Sequence, residues 1–129
     1  MAISGITLKL ANHPPVMYGS DELARSTVYT IGLRIPYFTV VVSSTAPNSL
    51  KELGGPHKSV SRVHAALRVD QEIVTVADLG GLKGVRYVHR DGRVSTVEEE
   101  GMALRPGKHD LILGQHLPLE LIITGNYTL

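Results

Sequence analysis

Apolar residues in this chain return at every second position, and the 3.6-residue spacing of an amphipathic helix is missing. Ile6, Leu8 and Leu10 alternate with Thr7 and Lys9; Val63, Ala65, Leu67 and Val69 alternate with Arg62, His64, Ala66 and Arg68; Ile73, Val74 and Val76 follow a turn at Asp70-Gln71-Glu72. A period of two belongs to a strand with one buried face. Further short apolar runs at 28–35, 37–42, 85–88, 110–113 and 119–123 are separated by Gly, Pro or Asp-Gly. Asp91-Gly92, between Tyr87-Val88-His89 and Arg93-Val94, signals a hairpin, because a tight hairpin turn needs positive φ that glycine adopts cheaply. About ten short strands without a long helix predict an all-β sandwich.

Two stretches depart from that rhythm. Residues 43–59 hold Pro47, Asn48, Gly54, Gly55 and Pro56 and read as a long loop insertion with room for one helical turn at Ser49–Leu53. Asp21–Arg25 offers a second short helical turn, and Glu98, Glu99 and Glu100 read as a solvated turn. With neither an internal repeat nor a low-complexity segment, a single domain over residues 1–129 is expected.

Composition narrows the function classes. A chain of 129 residues is long enough to bury a core without staples, and its lack of cysteine removes a disulfide framework, a zinc ribbon and a thiol nucleophile. Thirteen Lys and Arg against 12 Asp and Glu leave a net charge of +1, so any charge-based function must be local. The stretch Met1 to Leu10 carries one lysine and breaks at Asn12-His13-Pro14-Pro15, unlike a secretory signal. No apolar run approaches the roughly 18 residues of a membrane span. A soluble chain in an intracellular setting, with no membrane partner, is the expectation.

Enzyme signatures fail on inspection. His89-Arg90-Asp91 imitates a kinase catalytic triplet but sits at a hairpin turn without the downstream Asn. The six histidines show no metal-ligand spacing, and neither Gly-x-Ser-x-Gly nor a phosphate loop ending in Gly-Lys-Ser/Thr occurs. No enzyme activity, metal or cofactor is therefore expected.

The strongest local pattern is Lys58-Ser59-Val60-Ser61-Arg62-Val63-His64-Ala65, followed by Asp78-Leu79-Gly80-Gly81-Leu82-Lys83-Gly84-Val85. A hydroxyl from Ser61, the planar fork of Arg62 and the point charge of Lys83 suit a dianionic phosphate, which wants several charge-assisted donors on its oxygens. Gly80, Gly81 and Gly84 would turn the second loop sharply and bring backbone N–H groups close. The blander alternative has Ser61 ending a strand, Arg62 solvated and the glycines merely making a turn.

In order and spacing these segments, with Leu104-Arg105-Pro106-Gly107 and Leu111-Ile112-Leu113-Gly114 after them, resemble the forkhead-associated (FHA) domain over about residues 28–123. The resemblance implies a sandwich of about eleven strands whose apical loops bind phosphothreonine peptides without catalysis. Carried over by position, Ser61 bonds phosphate, Arg62 beside it contributes to phosphate or peptide contacts, and His64 braces the loops, with Gly32 and Gly84 in support. The family's arginine position holds Leu33, with Arg34 one residue late; in a strand that offset turns a side chain to the opposite face. Its asparagine position holds Lys83, its threonine position Val85, and Leu82 replaces a hydroxyl or lysine. The expected phosphopeptide site is thus Ser61, Arg62, Arg34, Lys83 and Leu82.

Two other readings compete. The departures suit a phosphate-independent FHA-like scaffold for partner binding or self-association. The cations Lys83, Arg86, Arg90 and Arg93 form a local basic strip that would serve nucleic acid, a lesser alternative. The segment Lys58-Ser59-Val60-Ser61-Arg62-Val63-His64, with the long stretch that follows to Leu104-Arg105-Pro106-Gly107, also resembles the FHA modules of fungal Nbs-type DNA-repair proteins, which implies a nuclear setting in the DNA damage response.

Overall fold

Inward-facing Val, Leu and Ile from alternating strands pair into two sheets, each of which buries one face against the other. The computed structural model describes residues 2–35, 37–57, 60–81 and 83–126, the side chain of 126 excepted. Its strands are β1 (Ala2–Leu10), β2 (Val16–Gly19), β3 (Val28–Arg34), β4 (Thr39–Ser44), β5 (Lys51–Gly54), β6 (Ala65–Val69), β7 (Val74–Asp78), β8 (Val85–Val88), β9 (Val94–Val97), β10 (Met102–Leu104), β11 (Gly107–Leu113) and β12 (Leu117–Asn126), with one helix, α1 (Ser20–Arg25). One six-stranded sheet runs β2-β1-β12-β11-β8-β9 and the other β10-β7-β6-β3-β4-β5. A single core cluster draws on both: Ile6, Leu8, Leu119 and Leu121 from the first, Ile31, Val40, Leu67 and Val76 from the second.

The period-two reading holds along the core strands. In β6, Ala65, Leu67 and Val69 are buried while Arg68 is exposed. The Asp91-Gly92 hairpin joins β8 to β9, with Val88 opposite Val94 and Gly92 at φ 90°. The described residues form twelve strands, in keeping with the sandwich of about eleven that the resemblance implies, and one of them lies within the stretch 43–59. That stretch is not one long loop, and Ser49–Leu53 is not helical. Lys51–Gly54 is β5, paired antiparallel to β4 with Val42 opposite Lys51 and Val41 opposite Glu52. Lys, Glu and Leu favour a helix in isolation, but an open edge of β4 and a pocket for Leu53, 1% exposed, override so weak a preference.

The added strand is fastened to the edge it meets. Lys51 Nζ pairs with Glu22 of α1 at 2.9 Å, stands 4.3 Å from the centre of the Tyr18 ring, and donates to the Met17 carbonyl. Tyr18, fully buried, donates its hydroxyl to the Ser49 carbonyl at 2.6 Å. The Lys51 ammonium holds the Glu22 carboxyl below its ordinary range, helped by the Gly19 N–H. β2, β5 and α1 thus close one side of the sandwich.

Candidate functional site

Strand direction decides which loops share an end. β6 begins where β7 ends, with Ala65 opposite Asp78, and β3 ends beside the segment entering β6. The β3–β4 loop, the 60–64 segment, the β7–β8 loop and the β11–β12 turn therefore gather at one apical end. Backbone bonds stitch them together: Leu33 N–H to Ser61 C=O at 3.0 Å, His64 N–H to Ile31 C=O at 3.0 Å, Leu79 N–H to His64 C=O at 3.1 Å, and Gly114 N–H to Gly84 C=O at 3.1 Å.

His64 stands at the centre, 0% exposed. Its Nδ1 accepts the Ser61 N–H at 3.0 Å, so that nitrogen carries the lone pair and the proton sits on Nε2. Nε2 then donates to the Gly84 carbonyl at 2.7 Å. Gly114 N–H lies 3.1 Å from the same Nε2, but a protonated nitrogen cannot accept it, and the Gly84 carbonyl is its acceptor. One ring therefore joins the 60–64 segment to the β7–β8 loop.

Two glycines make the crossing possible by having no side chain. A Cβ on Gly32 would lie 1.8 Å from the Arg62 carbonyl oxygen, and one on Gly81 would lie 2.6 Å from the His64 ring. Asp78 shapes the loop between, its Oδ1 accepting the N–H groups of Gly80 at 3.0 Å and Gly81 at 3.2 Å. Gly81 is among the glycines expected to turn this loop, but the capping role of Asp78 was not singled out; the Asp-x-Gly-Gly spacing was the available signal, since an Asp side chain readily caps backbone N–H groups two and three residues on.

The expected site residues fall as follows. Ser61 is half-buried and Arg62 is exposed. In β3, Tyr29, Ile31 and Leu33 face the core, so Gly32 and Arg34 share the outer face, the one the 61–62 segment crosses. Arg34 is exposed at the strand tip, opposite Thr39, and by strand alternation belongs with Gly32 to the face that the Arg62 backbone crosses. Lys83 is exposed in a turn closed by the Gly84 N–H on the Gly81 carbonyl at 3.0 Å, and it takes φ 63°, a left-handed conformation unusual for lysine. Leu82 lies outside the described residues, as do Lys58 and Ser59. Among the described residues no ion pair engages Arg34, Arg62 or Lys83.

The basic strip is less uniform than its sequence. Arg86 donates to the carbonyls of Gly114 and Gln115, and Arg93 Nε pairs with Asp91 at 2.8 Å. The Arg93 backbone N–H, and after it that guanidinium, hold the Asp91 carboxyl below its ordinary range. Among the described residues, no three His, Asp or Glu side chains come together to hold a metal ion, and no helix is long and apolar enough to cross a membrane.

No protein-family model and no curated protein sequence matches the chain. Among solved structures it is similar to the FHA domain of the CT664 protein from Chlamydia trachomatis, with a TM-score of 0.57 and 20% identity over 97% of this chain and 100% of that one. At that identity the likeness speaks for fold. Two antiparallel six-stranded sheets and a match over nearly the whole length lead to one conclusion: the chain has the fold of a forkhead-associated domain.

Proposed function

We propose that this chain is a non-enzymatic interaction module whose apical loops bind phosphothreonine-containing peptides. The observation that carries the reading is the joining, through His64, of loops that bear Ser61, Arg62, Arg34 and Lys83, with all three cations unengaged among the described residues. A phosphate dianion rewards such a cluster, each charge-assisted hydrogen bond being worth about 1.5–3 kcal/mol. In this reading Ser61 donates its hydroxyl, Arg62 and Arg34 supply guanidinium groups from neighbouring strand tips, and Lys83 adds a point charge. Arg34 stands in for the arginine that Leu33 displaces, since it shares the outer face with Gly32. His64, Gly32 and Gly84 support the loops. An intracellular, nuclear setting is part of the proposal, resting on the resemblance of Lys58–His64 and the stretch that follows to Leu104-Arg105-Pro106-Gly107.

Titration of phosphothreonine peptides and their unphosphorylated counterparts tests this. Binding should require the phosphate, and Ser61→Ala or Arg62→Ala should each weaken it about ten- to a hundredfold. Equal affinity for both peptide sets would overturn the reading in favour of a phosphate-independent scaffold.

A further inference from the structure

The apical loops carry apolar side chains as well as cations. Ile35 and Tyr37 in the β3–β4 loop, Val63 beside His64 and Leu79 after β7 are exposed by 45%, 78%, 57% and 42%. These three short segments hold as many exposed large hydrophobics as the rest of the described chain, where Met17, Val28, Leu50 and Val94 are scattered over separate elements. Isolated exposed apolar residues need no explanation, but a group on one end of a molecule marks a contact surface. The three segments that carry these side chains are tied to one another through the backbone. Leu79 N–H meets the His64 carbonyl at 3.1 Å, next to Val63, and Leu33 N–H meets Ser61 at 3.0 Å, at the entry to the loop of Ile35 and Tyr37.

Charge says what kind of partner covers it. Residues 27–51 and 53–69 contain no Asp or Glu, so Arg34 and Arg62 have no acid on their own segments. Asp78, the acid at the start of the third segment, is occupied by the Gly80 and Gly81 N–H groups. Charge complementarity therefore favours an occupant that brings negative charge and apolar surface together. Resting on the reading above, we infer that the partner is a phosphothreonine peptide whose residues flanking the phosphothreonine are apolar, and that Ile35, Tyr37, Val63 and Leu79 select them.

Burying one Leu or Ile of the peptide against this group is worth roughly tenfold in affinity. The test uses phosphothreonine peptides of one length in three forms: leucine and isoleucine flanks, serine flanks, and the apolar peptide without phosphate. Wild type and the triple variant Tyr37→Ser, Val63→Ser, Leu79→Ser are titrated with each, and with vesicles of phosphatidylserine or phosphatidylcholine. The expected result is that wild type prefers the apolar-flanked phosphopeptide by tenfold or more. The variant should lose that preference while still requiring phosphate. Phosphate-dependent binding by wild type that is indifferent to the flanks would overturn this inference and leave the phosphopeptide reading standing. Binding indifferent to phosphate would overturn both. Phosphatidylserine vesicles bound through the same three residues, with no peptide preference, would assign the surface to an anionic membrane instead. The flank series on wild type decides the matter even where the triple variant fails to fold.

Discussion

Two histidines at the apical end of the sandwich sit in contrasting surroundings. His64 is fully buried, and both its ring nitrogens are bonded to backbone, one accepting from Ser61 and one donating to Gly84. His57 lies on the strand exit after β5, its ring 5.8 Å from that of His13 and nearly perpendicular to it, and its Nε2 is buried with no hydrogen-bond partner among the described residues. The backbone N–H of His57 nonetheless bonds the Phe38 carbonyl at 2.9 Å, tying that exit to the β3–β4 loop. Buried imidazole is stabilising when its donor and acceptor both find partners, and it costs when one is orphaned. His64 therefore acts as a joint in the apical end, while His57 is a weak point beside it.

Removing the joint should have the largest effect. His64→Ala deletes bonds to two loops and leaves a cavity, so unfolding in denaturant should show a loss of about 3–5 kcal/mol. A loss under about 1 kcal/mol would mean that the backbone bonds alone hold the loops. Gly81→Ala attacks the same joint from outside, since its Cβ would lie 2.6 Å from a ring that has nowhere to move. A cost of about 1–3 kcal/mol is expected, with weakened phosphopeptide binding.

Lys83→Asn should run the other way. Asparagine tolerates the left-handed φ of 63° better than lysine, so thermal unfolding should show a gain of up to about 1 kcal/mol. An unchanged or lowered melting temperature would show that the turn is not strained by its lysine.

The smallest effect belongs to His57. Burial, and secondarily the charge of His13, hold its pKa below the ordinary 6.5, so the unfolded chain takes up the proton first. Its contribution is therefore fully present above pH 6.5 and is lost as pH falls through the lower folded value. Melting temperatures measured at about pH 7.5 and pH 5 should fall less for His57→Gln than for wild type. Equal falls would remove His57 as a source of acid sensitivity.

What the sequence made legible follows from where the information is local. Alternation along Ala65–Val69 announces its own strand, though Val63 before it lies outside the strand and is exposed, and Asp91-Gly92 announces its own turn, because each depends on residues within a few positions. Asp21–Arg25 as a helical turn is equally local, with acids in its first turn and Arg25 in its last. β5 was not legible, because Lys51-Glu52-Leu53-Gly54 has one core residue and gains its conformation from pairing with β4. The meeting of His13 and His57 is a contact across 44 positions with no local sign. Arg34 was legible only as an offset; the outer face it shares with Gly32 emerges once Leu33 is seen packed in the core. Likewise Arg86 and Arg93 read as a free basic strip until Gly114, Gln115 and Asp91 are brought beside them.

The central claim is that loops joined by His64 form one surface for a phosphate-bearing peptide. Backbone amide chemical shifts, followed while the phosphothreonine peptide and its unphosphorylated twin are added in turn, test it most directly. The account predicts shifts confined to residues 32–38, 60–64 and 79–84, and only with the phosphorylated peptide. Shifts that map to β9 or to the β2–α1–β5 side, or that arise equally without phosphate, would contradict it.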